Sequence, residues 1–257
     1  LKKTINMFEY NNFKSFKKNF FTNKKNIAAV IMEVSRNFPP EKNFLKNIRK
    51  ICSLNKIILI FDECTSGFRE TFGGLHSKYK VNPDIVLYGK AIGNGYPITA
   101  IVGRKKIMQK AQDTFISSTF WTERIGPTAA IETLKQMKKI SSWKIITTKG
   151  QFIKQSWKMI FKRHGFSVEI SGLDALPVFR FKNKLHLKYK TFITDEMLKK
   201  GYLASNAIYL STSHTQKILN KYLKDFEDVI KKLKLHIQNK ELKLSGPVCH
   251  SEMKRVN

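Results

Sequence analysis

The sequence that decides the fold lies between residues 57 and 97: residues 57–69 read IILIFDECTSGFR and residues 82–97 read NPDIVLYGKAIGNGYP. In each segment a short apolar run, typical of a buried strand, leads to polar residues, first at Asp62 and then at Gly89-Lys90. Residues 27–32 form a similar run that predicts a strand buried on both faces. A helix with one apolar side is predicted between this run and residue 57. Strand, helix and strand in that order predict a βαβ unit in a mostly parallel sheet.

The remaining pattern predicts two domains. A fourth strand is expected at 98–102 and a long helix at 128–139, which completes an α/β domain over residues 1–145. Beyond that point the sequence predicts a small α+β domain over 146–257. Its expected strands are 167–170, 176–181 and 207–210, and its expected helices run to about residue 164 and over 194–200 and 215–233.

Two polar side chains follow the ends of neighbouring predicted strands. Asp62 ends one strand, and Lys90 follows another strand 28 residues later. Because parallel strands end at one edge of a sheet, both side chains are expected to project from the same edge. An amine and a carboxylate held there suit an aldehyde cofactor with a protonatable ring nitrogen. Taken singly, an acid after a strand is usually a cap or a solvated loop residue, and a lysine in a glycine-rich loop is usually solvated.

The stretch from Ile27 to Leu134 resembles the class III aminotransferases, and most closely their glutamate-1-semialdehyde aminomutase-like branch. The resemblance lies in the order and spacing of residues 62–69, 83–84, 89–95 and 103–104. It continues more weakly through residues 201–204 and 211–215. It implies the C-terminal part of the large domain of a fold type I pyridoxal-phosphate transferase, followed by the small C-terminal domain.

The resemblance also implies a role for four residues. Lys90 would form the Schiff base with pyridoxal 5'-phosphate and then move a proton to and from the substrate carbon. Asp62 would keep the pyridine nitrogen protonated, and Cys64 would pack on the face of the ring. Thr119 would reach the cofactor phosphate of a neighbouring subunit, which implies a homodimer.

Three other polar residues are expected to be structural. Glu63 and Arg69 are expected to fix the loop or line the site. His214, at a helix start, is expected to serve as a cap or in a hydrogen bond rather than in catalysis.

The chain departs from the family pattern in two ways. Nothing in Leu1–Lys25 supplies the phosphate cup or the ring-stacking aromatic that relatives carry upstream. We therefore expect a fragment, a degraded gene or one piece of a split enzyme that binds the cofactor weakly. Asn206 stands where the aminomutases place a glutamate, and Thr122-Glu123-Arg124 replaces their Gly-Asn-Pro. Both changes favour an aminotransferase acting on a small amine donor and a carbonyl acceptor, with the aminomutase and an inactive remnant as alternatives.

Composition leaves one further alternative open, a basic polyanion-binding protein, since the formal charge is +29. The 40 lysines greatly outnumber the 8 arginines and are spread along the chain, which does not predict specific nucleic-acid recognition. The absence of a long uncharged apolar run predicts no membrane span. Three widely spaced cysteines predict neither a disulfide framework nor a zinc site, and favour a reducing, cytoplasmic setting; no metal site is expected.

Overall fold

A four-stranded sheet organises the first half of the computed structural model, which describes residues 4–35, 37–117, 119 and 122–250. The chain divides between Lys144 and Ile145 into two compact units. The first unit contains the elements α1 (Phe13–Asn23), β1 (Ala29–Glu33), α2 (Phe44–Leu54), β2 (Ile58–Glu63), β3 (Ile85–Tyr88), β4 (Ala100–Gly103), α3 (Lys105–Met108) and α4 (Ile125–Ile140).

The sheet has the strand order β1-β2-β3-β4. The first three strands are parallel, so the predicted βαβ unit and the α/β class are confirmed. The edge strand β4 runs antiparallel to β3, because the chain reverses through the loop at residues 89–99 instead of crossing over by a helix. The sheet is therefore mixed and mostly parallel.

One face of the sheet is buried and the other is open. In β1, Val30 and Met32 are buried, whereas Ile31 is 56% exposed. The prediction that this strand is buried on both faces was wrong. Its apolar run resembles that of a central strand, but within this chain β1 is an edge strand whose side chains alternate between a covered and an uncovered face.

Helix α1 was not predicted, because lysine and asparagine obscure its short apolar stripe. Phe16 and Phe20, four residues apart, are both buried. The side chain of Asn12 caps the helix by accepting a hydrogen bond from the backbone N–H of Ser15 at 2.9 Å. The helix therefore adds two aromatic side chains to the buried interior of the first unit.

The second unit is built around aromatic side chains. Trp157, Phe161, Phe179 and Phe226 are buried at 0–1% exposure, in a core that also takes aliphatic residues from every helix of this unit. The elements are α5 (Ser142–Arg163), which begins just before the division, β5 (Val168–Ser171), β6 (Val178–Phe181), α6 (His186–Lys199) and α7 (Gln216–Gln238). Strands β5 and β6 form an antiparallel pair.

Two predictions for this unit were wrong. Helix α6 begins at His186 rather than near residue 194, and its first turns bury Tyr189 and Phe192. The expected third strand at 207–210 forms only one isolated bridge, between Ala207 and Val178. Pro177 explains this: its carbonyl accepts a hydrogen bond from the Ile208 N–H at 3.1 Å, but proline has no N–H to return one.

At the start of α7, His214 is held within its own loop. Its Nδ1 accepts a hydrogen bond from the Ser211 N–H at 3.1 Å, and the Thr215 hydroxyl caps the helix. Burial, together with the charge of Lys149, lowers the pKa of His214. These contacts are those of a structural residue.

Within the described residues, no helix has both the length and the apolar character needed to cross a bilayer. In the same part of the chain, no cluster of three or more His, Cys, Asp or Glu side chains could hold a metal ion.

Candidate active site

Strands β2 and β3 end at the same level of the sheet. Asp62 lies opposite Leu87, and Glu63 lies opposite Tyr88. Lys90 follows two residues after Tyr88, so the Asp62 carboxylate and the Lys90 amine both come from the carboxyl edge of the sheet. Oδ1 of Asp62 accepts a hydrogen bond from the Cys64 N–H at 3.0 Å, which turns the chain away from the strand.

The turn that follows β2 is anchored by Glu63, whose side chain is 0% exposed. Its carboxylate accepts hydrogen bonds from the Ser66 hydroxyl and from the backbone N–H groups of Leu75 and His76, and it pairs with Nδ1 of His76 at 2.6 Å. A buried carboxylate needs such partners to offset its desolvation. Glu63 therefore ties the two ends of the segment 64–76 together.

Arg69 completes this turn from within. Its Nε donates to the Thr65 carbonyl at 2.7 Å. The expectation that Glu63 and Arg69 fix the loop accords with these contacts.

The loop after β3 holds Lys90 in an unusual conformation. Its φ is +47°, in the left-handed region that costs non-glycine residues energy and that is enriched at functional sites. Ile92, two residues after Lys90, is buried and packs with Phe68 and Ala130. Because Ala130 belongs to α4, this contact attaches the loop to that helix. The exposed side chain of Lys90 donates a hydrogen bond from Nζ to Oγ1 of Thr65 at 2.7 Å.

The thiol of Cys64 is affected by burial and by the charges of both Asp62 and Lys90. Burial raises the pKa of its thiol, and the carboxylate of Asp62 raises it further, while the charge of Lys90 acts in the opposite direction. A Cβ atom added at Gly89 would lie 3.1 Å from the Cys64 sulfur. Gly89 therefore allows the thiol to approach the backbone just ahead of the lysine.

The aromatic residue before Gly89, Tyr88, is half-buried next to the site. Tyr88 packs against Phe68 with their ring centroids 5.1 Å apart. Burial, aided by the charge of Glu63, raises the pKa of Tyr88 to about 12. Its hydroxyl therefore stays protonated at neutral pH.

The structure brings together three of the four residues singled out from sequence: Asp62, Cys64 and Lys90. Thr119 lies exposed in the segment before α4. Within the described part of the chain, Thr119 makes no hydrogen bond or ion pair with those three. Sequence reasoning missed Thr65 and His76. Thr65 stands inside the quoted motif without a distinctive pattern, and His76 lies 13 residues from its partner Glu63.

The family described as aminotransferase class-III matches residues 4–243. The chain belongs to this family. Glutamate-1-semialdehyde 2,1-aminomutase of Chlorobium phaeobacteroides is 31% identical over 236 residues, which is 84% of this chain and 55% of that protein. The aminomutase of Ruminiclostridium cellulolyticum is 32% identical over 243 residues, covering 86% of this chain and 56% of that protein.

Solved structures support the same fold. The internal aldimine form of the Sphingopyxis FumI protein, with pyridoxal phosphate, aligns with a TM-score of 0.85 at 23% identity over 91% of this chain. An omega-transaminase from Sphaerobacter thermophilus aligns with a TM-score of 0.80 at 19% identity over 86% of this chain. This class III chain covers 58% and 56% of those two proteins, and slightly more than half the length of the curated relatives.

Proposed function

We propose that this class III chain carries the reactive lysine of a pyridoxal-phosphate-dependent aminotransferase, which moves an amino group from an amine donor to a carbonyl acceptor. The observation that carries the proposal is the placement of Asp62 and Lys90 at one sheet edge: Asp62 lies at the end of β2, and Lys90 follows the level end of the adjacent strand β3. We interpret the first unit as the C-terminal part of the cofactor-binding domain and the second as the small domain.

The site residues fit this cofactor chemically. A primary amine, a carboxylate and a small thiol face one edge, and the amine side chain is exposed. When bound, pyridoxal phosphate supplies an aldehyde for amine exchange and a conjugated ring that stabilises negative charge on the substrate carbon. Asp62 would hold the ring nitrogen protonated, and Cys64 would pack against the ring.

Lys90 would have two duties. Its amine would first hold the cofactor, and once released by the incoming amine substrate it would carry a proton to and from the substrate carbon. The unusual backbone of Lys90 and the packing of Ile92 hold its Cα at the sheet edge, so that only the side chain must move.

Thr119 and the assembly form a separate part of the proposal. A hydroxyl that reaches the phosphate in a neighbouring subunit must lie on the surface of its own chain, as Thr119 does. We therefore propose a homodimer. The cysteines Cys52, Cys64 and Cys249 are unpaired, which supports a reducing, cytoplasmic setting.

The aminomutase is the second candidate, because the two relatives reported above bear that name. Two departures from the aminomutase pattern have structural uses in this chain. Asn206 donates from Nδ2 to the Phe179 carbonyl at 3.0 Å, and the Glu123 carboxylate accepts hydrogen bonds from the Ile125 and Gly126 N–H groups at the start of α4. Supplying glutamate 1-semialdehyde alone separates the candidates, since a mutase needs no second substrate whereas a transaminase does.

The decisive test is chemical capture of the cofactor. The purified chain is mixed with pyridoxal phosphate at a low molar ratio, reduced with borohydride and mapped by peptide mass spectrometry. We expect a visible absorbance band and a pyridoxyl adduct concentrated on Lys90, and we expect both to be lost in Lys90→Ala.

The matched control is Lys106→Ala, which removes an exposed lysine of α3 and should leave capture at Lys90 unchanged. This control matters because 40 lysines compete for the aldehyde. An adduct spread over the lysines according to exposure, with no preference for Lys90, would contradict the proposal.

A further inference from the structure

The contact between Lys90 and Thr65 joins a movable group to a fixed one. Lys90 is exposed and its side chain has four rotatable bonds, whereas Thr65 is 7% exposed. The distance between Nζ and Oγ1 is 2.7 Å, within the range of a well-formed hydrogen bond. The hydroxyl therefore fixes where the end of the lysine side chain rests.

The hydrogen bonds of the surrounding turn hold the Thr65 backbone, and therefore its hydroxyl, in one position. The Thr65 carbonyl is bound by Arg69 at 2.7 Å, and the Gly67 N–H donates to the Glu63 carbonyl at 2.8 Å. The neighbouring Ser66 hydroxyl donates to the buried Glu63 carboxylate at 3.1 Å. Thr65 thus sits in a turn held on both sides, independently of Lys90.

We propose that Thr65 is a positioning residue for Lys90: its hydroxyl holds the free amine at the sheet edge where Asp62 also lies, ready to take up the cofactor or to transfer a proton. This inference rests on the proposed function of Lys90. The β-branched side chain of Thr65 has few rotamers, so its hydroxyl keeps one direction. The proximity of Nζ to Oγ1 was not foreseen, because neither strand-end pattern singles out the residue at position 65.

The test uses the intact chain and three variants. Thr65→Val keeps the shape and removes the hydroxyl, and Thr65→Ser keeps the hydroxyl. Thr99→Val is the matched control, since exposed Thr99 also lies beside Gly89 but makes no hydrogen bond to Lys90 among the described residues. Two rates are measured at Lys90 by peptide mass spectrometry, with the other lysines as internal references: acylation by trace acetic anhydride and pyridoxyl capture.

A positioning role predicts opposite changes in the two rates. In Thr65→Val, acylation of Lys90 should rise about threefold, because the amine is no longer held, and pyridoxyl capture should fall about threefold, because the amine is no longer aimed. Thr65→Ser should restore both rates, and Thr99→Val should change neither.

Other outcomes separate this inference from the proposed function. If both rates stay unchanged or rise together in Thr65→Val, or if Thr65→Ser behaves like Thr65→Val, the positioning role is overturned while capture at Lys90 stands. If the unaltered chain shows no capture at Lys90, the proposed function fails and the positioning role fails with it.

Discussion

The two units differ in how completely their apolar cores are packed. In the second unit, rings from α5, β6 and α7 meet directly: the centroids of Trp157 and Phe179 are 4.9 Å apart, and those of Phe161 and Phe226 are 5.7 Å apart. In the first unit the sheet is covered on one face only, and the edge-strand residues Ile31 and Ile101 are 56% and 62% exposed. The unit that carries the candidate site therefore has the less complete apolar core.

Buried carboxylates give the first unit part of the order that aromatic packing gives the second. Glu63 gathers the turn after β2. Asp84, the residue just before β3, pairs with Arg49 at 2.7 Å and accepts a hydrogen bond from the Leu59 N–H at 2.8 Å, which links α2, β2 and the start of β3. Such groups specify a geometry more strictly than apolar contacts do, because each acceptor needs a donor in one direction. The difference between the units yields four predictions.

The largest effect is expected in the aromatic core. Phe226→Ala leaves a cavity among Trp157, Phe161 and Phe179, and should lower the free energy of unfolding of the second unit by about 4 kcal/mol. Urea denaturation followed by the fluorescence of buried Trp157 measures this. Leu235→Ala, at a position 51% exposed on the same helix, is the control and should cost less than about 1 kcal/mol.

The same variant tests whether the units are separate. Hydrogen exchange of the β2 amides in the first unit should be nearly unchanged in Phe226→Ala. Equal loss of protection in both units would show that they unfold together as one cooperative unit.

The next largest effect is expected at Glu63, the buried carboxylate that holds the turn after β2. Glu63→Gln replaces an acceptor of four hydrogen bonds by an amide whose N–H₂ group faces other donors, and it breaks a buried pair with His76. We expect a loss of about 3 kcal/mol from the first unit and faster hydrogen exchange at Leu75 and His76. Glu132→Gln, on the exposed surface of α4, is the matched control. Unchanged exchange in Glu63→Gln would contradict the anchoring role.

How far the sequence predicted the structure also differs between the units. In the first, strand ends marked by Asp62 and Lys90 coincide with a βαβ pattern, so periodicity and motif identify the same sheet edge. In the second, the deciding features were long-range. Pro177 has no N–H to donate to residues 207–210, so no ladder forms there. The early turns of α6 exist because Tyr189 and Phe192 reach the aromatic core. The Thr65–Lys90 contact depends on two loops meeting, which periodicity does not encode.

A smaller effect tests the open face of the sheet. Val30 and Ile31 are neighbours on β1, 7% and 56% exposed. Val30→Thr buries a hydroxyl and should cost about 2 kcal/mol, whereas Ile31→Thr should cost less than about 0.5 kcal/mol. Both changes keep a β-branched residue, so strand propensity is matched. The urea midpoint of the first unit is measured for both variants. An equal loss of stability in the two variants would mean that the face of Ile31 is covered in solution.

The smallest effect is a pH dependence confined to the second unit. Burial and the charge of Lys149 lower the pKa of His214 from 6.5. As the pH falls below 6.5, the unfolded chain therefore binds a proton before the folded chain does, and this contribution to stability is lost down to the folded pKa. Because His214 is partly exposed, solvent screening should keep this loss of stability well below about 1 kcal/mol.

The measurement compares the urea midpoint of the second unit between pH 7.5 and 5.5 in the unaltered chain and in His214→Asn. Asparagine keeps an acceptor for the Ser211 N–H but does not titrate, so the slope of stability against pH should become shallower. Lys149→Met should reduce the slope in part, because it removes the nearby charge together with the hydrogen bonds from Nζ to the Ser211 and Thr212 carbonyls. A slope equal to that of the unaltered chain in both variants would assign the pH dependence to other groups, and His214 would then be only a hydrogen-bond acceptor at the start of α7.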